Sequence, residues 1–351
     1  MSDAQPTRLR RGWTTGACAS AATKAALIGL WGGAFPQLVS ITLPRGERPI
    51  FAVIRPRSGP GWAEVGIIKD AGDDPDVTHG CEVRVRVSVE VGSAGVQFRA
   101  GTGVGTVTRP GLPIAVGQPA INPKPRELMC GVVRELAEKY HEEPNVSICI
   151  SIINGDKLAK RTWNPRLGIV GGLSVLGTTG IVRPFSCSAW IASIQRGVDV
   201  ARAMQCPHVA GCTGATSQAV VQAHHGLPEQ AMLDMGDFVG GLLKYLRRHP
   251  VPRLTIGGGI GKMTKLAQGA VDLHSKRSQV DFEKLADWLG DPRIAKVNTA
   301  LQAYEIAGEK MADLVANRAL MTVRKQLRDA RISPDIIIID RAGRIIAQAA
   351  E

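Results

Sequence analysis

Apolar and polar positions alternate along the first half of the chain. The segments VSITLPRG, PIFAVIRP, WAEVGIIKD and EVRVRVSVEV carry β-branched residues at a partial period of two and are parted by Pro and Gly, which predicts strands. The period changes in RELMCGVVRELAEKY, where Leu128, Val132, Val133 and Leu136 recur at helical spacing, and NVSICISI returns to strand. Many strands with few helices predict an α+β domain with a mixed or antiparallel sheet over residues 1–185.

After Pro184 helices alternate with short apolar strands. SAWIASIQRGVDVARAM sets Ile191, Ile194, Val198 and Ala201 on one face, with Ser186 or Ser188 available as a cap. PEQAMLDMGDFVGGLLKYLRRH opens on Pro228 and closes on Lys244, Arg247 and Arg248, which suits one helix and its dipole. PRLTIGGG and PDIIIID read as buried parallel strands. Residues 186–351 are therefore expected to form an α/β domain with a mainly parallel sheet.

Length agrees with two domains, since 351 residues exceed one typical domain. No apolar run is long enough to span a bilayer, and the opening MSDAQPTRLRRGW lacks the apolar stretch of a secretory signal, so a cytoplasmic protein is expected. The seven cysteines are scattered without a C-x-x-C pair and are read as reduced, packed thiols. A net charge of +12 asks for an anionic partner. Aromatic residues, at 4%, are too few for base-stacking platforms, and no finger or zipper motif is present. An acidic small molecule is preferred over nucleic acid, and no membrane partner is expected.

Four loops and one acidic cluster are candidates for chemistry. AGTGVGTVTRPGLP has Gly101, Gly103 and Gly105 in a G-x-G-x-G pattern, but Pro110 and Pro113 exclude the helix that a dinucleotide fingerprint needs; a turn or a close backbone approach fits better. RLTIGGGIGKMTKLAQGA leads a strand ending at Ile256 through Gly257, Gly258, Gly259 and Gly261 into a helix starting near Lys262. Glycines there would let a ligand reach backbone N–H groups, although Met263 stands where a P-loop has its magnesium-binding hydroxyl. HVAGCTGATSQ, with Gly211 and Gly214, repeats that logic, so the two loops could lie side by side at one sheet edge. RRGWTTGACASAATKAAL offers Thr14 or Thr15 as the cap of an Ala-rich helix. GIIKDAGDDPDVTHG gathers Asp70, Asp73, Asp74, Asp76 and His79; it lacks the spacing of a calcium loop and reads either as a solvated turn or as an acid/base cluster.

Together with GTGVGTVTRPGLP, AINPKPR, LAKRTWNPRLGIVGGLSVLGTTGIVRPFSCSAWIASI and DMGDFVGGLLKYLRRHPVPRLTIGGGIGKMTKLAQGAVDLHSKRSQVD, the motifs RRGWTTGACASAATKAA and GIIKDAGDDPDVTHG make the chain similar to the CbiD family from Leu9 to about Asp281. These are the cobalt-precorrin-5B C1-methyltransferases of cobalamin biosynthesis. The resemblance implies methyl transfer from S-adenosylmethionine to ring carbon C1 of a carboxylate-rich corrin precursor, with cobalt present only as part of the substrate and no protein metal. It also implies a first domain like ribosomal S5 domain 2. In its light Asp70 or His79 becomes the candidate base, with Asp234 or Asp237 of LDMGDF as the fallback. Gly211, Gly214 and Gly257 to Gly261 become the donor site, and Thr14, Thr15, Lys69, Arg161, Arg166, Thr178 and Thr179 become substrate contacts, with Arg10, Arg11 and Arg183 beside them. Two other readings stay open: a corrinoid-precursor carrier without a methyl donor, and a nucleotide-dependent small-molecule kinase.

Overall fold

The computed structural model describes residues 9–92 and 95–351, which divide into one compact unit up to Ser186 and another from Cys187. The first unit is built on helix α1 (Thr15–Gly32). The Thr14 side chain caps it by accepting the Ala17 N–H at 3.2 Å, and its run of small residues is buried on nearly every side. It packs against strands β1 (Ile54–Gly59), β2 (Trp62–Ile68) and β3 (Glu82–Val89). After β4 (Val96–Ala100), helix α2 (Pro123–Tyr140) lies against α1 and leads into β5 (Val146–Ile152). The sheet runs β1-β2-β3-β5-β4, antiparallel except where β5 pairs in parallel with β4. Val83, Val85 and Val87 of β3 enter the core, whereas Arg84 and Arg86 point away, so the period-two reading of this half holds.

The second unit runs α3 (Cys187–Ala203), β6 (His208–Cys212), α4 (Ala215–His225), β7 (Met232–Leu233), α5 (Val239–Leu246), β8 (Arg253–Gly259), α6 (Ile260–Ala267), α7 (Phe282–Leu289), α8 (Ala300–Leu327), β9 (Ser333–Ile339) and β10 (Ile345–Ala350). Its sheet has the order β7-β6-β8-β9-β10, with only β10 antiparallel. β6, β8 and β9 are buried through most of their length, which explains their largely apolar sequences.

One expectation fails. The stretch from Pro228 to Arg248 is not a single helix: Met232–Leu233 pairs with Ala210 and Gly211 as an edge strand, and Gly236, at φ 54°, stands before the helix at Val239. This short strand places β6 between β7 and β8. The chain goes to one side of β6 and then crosses to the other, creating a topological switch point between β6 and β8.

The opposite, N-terminal edge of this sheet holds a polar network. Asp335, buried in β9, accepts the Thr255 hydroxyl and the Arg253 Nε–H at 3.1 Å, and His225 at the end of α4 lies 3.3 Å from its Oδ2. Burial pushes the neighbouring His208 down to about 4, so that imidazole is neutral at physiological pH.

Candidate functional site

In the first unit, three segments far apart in sequence are stitched together by backbone hydrogen bonds. Trp13 N–H donates to the Asp70 carbonyl at 2.7 Å, and Asp73 N–H donates to the Arg10 carbonyl at 3.0 Å. Thr14 N–H reaches the Gly180 carbonyl, and Gly16 N–H the Leu176 carbonyl. The acidic loop 69–80, the segment 10–16 and the loop 176–180 are therefore one structure. Close approach demands glycine at two points: a Cβ on Gly12 would sit 2.0 Å from the Ala71 carbonyl carbon, and one on Gly72 (φ 67°) 2.2 Å from the Arg10 oxygen.

The acidic side chains of that loop have distinct partners. Asp70 is paired with the Arg10 guanidinium through both oxygens, and its Oδ1 also accepts the Gly72 N–H at 2.9 Å. The Arg10 hydrogen bonds hold its carboxyl at about 2 against a smaller opposing effect of burial. An acid that strong is a poor proton acceptor at neutral pH. Asp73 takes the Arg10 N–H at 2.5 Å, and Asp74 the Phe185 N–H at 2.8 Å. His79 is exposed, and its Nδ1 accepts the Ala71 N–H at 3.1 Å, which puts the proton of the neutral ring on Nε2. The same Nδ1 lies 3.8 Å from Asp70 Oδ1.

Lys69 is 2% exposed, and its ammonium meets Asp76 Oδ2 at 2.6 Å. Burial pushes the Asp76 carboxyl up, but the Lys69 charge and the Lys69 and Thr78 hydrogen bonds outweigh it, leaving the group below its usual 3.8. A carboxyl depressed in the folded state stabilises the fold above the unfolded value, and that contribution is lost as pH falls through the folded one. Urea unfolding midpoints should therefore drop from about pH 4 downward. Asp76→Asn should flatten this acid dependence and cost about 3 kcal/mol at pH 7, because it leaves a buried ammonium unpaired. A mutant with the wild-type midpoint at pH 7 and the wild-type acid slope would contradict this.

Several expected substrate contacts turn out to have internal work. Thr14 is the α1 cap, and the Thr15 hydroxyl exchanges hydrogen bonds with the backbone of Leu176; both residues are buried. Lys69 is spent on Asp76, so it does not extend toward solvent as a free cation. Thr178 is exposed, while the Thr179 hydroxyl accepts the Ile181 N–H at 3.3 Å. Arg161 and Arg183 are exposed, and Arg166 stacks over the Trp163 ring at 4.6 Å. The glycines of GTGVG serve close packing within the chain: a Cβ on Gly103 would lie 2.0 Å from the Ile152 oxygen, and one on Gly101 2.1 Å from Ser151 Oγ.

In the second unit, the C-terminal ends of β6 and β8 meet at the switch point. Thr213 N–H donates to the Gly257 carbonyl at 2.9 Å. Lys262, in the first turn of α6, binds the Thr213 carbonyl at 2.9 Å and Asp237 Oδ1 at 2.8 Å. The loops after β6, β7 and β8 are thus tied together by one ammonium.

The glycines there divide into two kinds. A Cβ on Gly211 would press on Leu242, one on Gly257 would lie 2.6 Å from Val221, and one on Gly258 2.7 Å from the Thr213 hydroxyl. These three serve packing. Gly214 and Gly259 are the N-caps of α4 and α6; neither helix has a side-chain cap, and a Cβ on either glycine would meet nothing within 4 Å. A Cβ on Gly261 would make only an ordinary contact with Ala300. Two neighbouring helix starts without side-chain caps thus stand beside a cation and a carboxylate at the switch point. Sequence spacing pointed to the glycines but not to Lys262 or Asp237 as their partners, because the sharp turn at Gly236 that brings Asp237 there is a tertiary feature.

Comparison with known proteins sets these clusters in context. A protein named cobalt-precorrin-5B C(1)-methyltransferase from Paramagnetospirillum magneticum is 53% identical, covering 99% of this chain and 100% of its own. Proteins of the same name from Brucella anthropi (54%, covering 97% and 95%) and Rhodospirillum rubrum (53%, covering 97% of each) are similar. The crystal structure of the cobalamin biosynthesis protein CbiD from Archaeoglobus fulgidus is 24% identical with a TM-score of 0.41, covering 86% of this chain and 85% of that one. The model of the CbiD family matches residues 2–184, and that of the CbiD C-terminal domain matches residues 272–350. With both ends of the sequence accounted for in this way, the chain belongs to the CbiD family.

Proposed function

We propose that the chain transfers the methyl group of S-adenosylmethionine to C1 of cobalt-precorrin-5B. Identity above 50% to proteins of that name over essentially the full length carries the reading. The chemistry is an in-line displacement: C1 attacks the methyl carbon, the carbon–sulfur bond breaks, and S-adenosylhomocysteine leaves as a neutral thioether. No covalent bond to the enzyme forms, so the protein's work is to position two ligands, exclude water and hold any proton the macrocycle releases.

The switch-point loops of the second unit suit the donor. The bare N–H groups at Gly214 and Gly259 and the Lys262 ammonium can receive its carboxylate, and Asp237 can receive its ammonium. The first unit suits the corrin precursor: Arg161, Arg166, Arg183 and Thr178 offer charge-assisted contacts to its carboxylates, and His79 offers a group that can take up a proton. Two helices packed on a sheet with one parallel β4-α2-β5 crossover agree with an S5-like reading of that unit. We take the protein to work in the cytoplasm; no helix among the described residues is long and apolar enough to cross a membrane.

Calorimetry with S-adenosylmethionine, S-adenosylhomocysteine and ATP tests this directly. Saturable binding of the first two with no heat from ATP, and methylated product when cobalt-precorrin-5B is supplied, are the expected results. Corrin binding without donor binding would make the chain a carrier. ATP binding in place of the sulfonium donor would point to phosphoryl transfer.

A further inference from the structure

We infer that His208, His225 and Asp335 form a binding site for a borderline divalent cation, Zn²⁺ or Co²⁺, at the N-terminal edge of the second unit's parallel sheet. The site is remote from the switch-point loops, because it lies where β6, β8 and β9 begin rather than where they end, and the inference does not rest on the methyl-transfer reading. His208 opens β6, in register with Arg253 of β8, and Asp335 pairs with Thr255 two residues further in. Helix α4 runs back from the opposite edge and delivers His225 as its last residue. Three elements distant in sequence thus converge two imidazoles and one carboxylate.

That donor set is the one borderline metals select, and it leaves a position open for water or a further ligand. The three candidate ligand atoms lie within 4.8 Å of one another. His225 Nε2 is 3.3 Å from Asp335 Oδ2, and His208 Nε2 is 3.9 Å from Asp335 Oδ1. Ligands about 2.0–2.1 Å from a tetrahedral Zn²⁺ sit roughly 3.3 Å apart, so the pocket needs only slight closure. The side chains are 12%, 13% and 8% exposed, sheltered from bulk water but reachable by an ion.

The surrounding groups are arranged as supports for such a site. The Thr255 hydroxyl, fully buried, donates to Asp335 at 2.8–2.9 Å, and Arg253 Nε–H donates to Oδ1, so Oδ2 stays turned toward His225. The Arg253 side chain is 47% exposed and can turn its charge outward. Without the cation, the Thr255 hydroxyl donates its hydrogen bond to Asp335, so His208 Nε2–H donates to Thr255 Oγ1 at 2.7 Å, and His225 Nε2–H donates to Asp335. Cation binding moves each ring proton to Nδ1 and frees both Nε2 lone pairs. His224, whose ring lies 4.7 Å from that of His225, is exposed and outside the triad, which makes it an internal control.

The test uses the full chain without an affinity tag, stripped with chelator and titrated with ZnCl₂ and CoCl₂ by calorimetry. Binding of one equivalent, a visible Co²⁺ spectrum of low-coordinate rather than octahedral type and a raised melting temperature are expected. His225→Gln and His208→Gln should each weaken binding by at least about tenfold, while His224→Gln should leave it unchanged. His225 ends a helix, so His225→Gln keeps the test valid if the His208 variant fails to fold. Absence of one-equivalent binding, binding that survives in a folded His225→Gln protein, or binding lost in His224→Gln would overturn the assignment and leave the cluster as an internal clasp on Asp335.

Discussion

Replacing Gly259 by Val will weaken S-adenosylmethionine binding by at least about tenfold while leaving the melting temperature nearly unchanged. The fold should tolerate the side chain, because Gly259 has an ordinary φ of −74° and the space around its missing Cβ is empty. The donor should not tolerate it, because the valine methyls would stand over the N–H groups that open α6, and denying one charge-assisted contact costs about 1.5–3 kcal/mol. Gly257→Val makes the contrast. Its Cβ would press on Val221 at 2.6 Å, so it should lose about 1–3 kcal/mol of stability by overpacking, whatever happens to binding. Calorimetry of donor binding and thermal unfolding on both variants decide it. A folded Gly259→Val protein with wild-type donor affinity would remove the donor from this loop.

The same glycine run shows what sequence can and cannot carry. Local patterns were legible: the alternation in EVRVRVSVEV became a strand with valines inward and arginines outward, and the apolar run in PDIIIID became a buried parallel strand, because burial acts residue by residue. The two-residue strand Met232–Leu233 was not legible, because it has no period of its own and exists only through its pairing with Ala210 and Gly211. Yet this strand sets the sheet order and with it the switch point.

Site chemistry divides in the same way. Which residue types gather was readable from the sequence, but which of them are already spoken for was not. Thr14, Thr15 and Lys69 look available in the sequence, and all three are buried with internal partners. Asp70 and Arg10 lie 60 positions apart, so nothing in the loop itself announces that the carboxylate is neutralised. Arg10 opens the RRGWTT motif, far from the one that drew attention to the aspartates, and only the backbone stitching of 10–16 to 69–80 brings it there.

That stitching also sorts the roles of Asp70 and His79. We expect His79→Gln to lower turnover by about 10²–10⁴-fold, the usual range for loss of a proton-transfer group, with both ligands still bound within about threefold of wild type. At rest His79 Nδ1 holds the Ala71 N–H, and accepting a proton there gives up that hydrogen bond, worth about 1 kcal/mol. The new N–H then faces Asp70 Oδ1 from 3.8 Å, and Asp70 is ionised throughout because Arg10 keeps its carboxyl near 2. In this proposal Asp70 is the positioning residue, its carboxylate facing the imidazolium. Asp70→Asn should lower turnover while sparing binding, by less than His79→Gln, since Arg10 and the Ala71 N–H still fix the loop. The split between turnover and binding separates a proton acceptor from a structural residue. If both variants fold, bind both ligands and methylate within about threefold of wild type, KDAGDDPDVTHG is a structural turn. The proton acceptor would then have to be sought at Asp234 or Asp237, or among the substrate's own carboxylates.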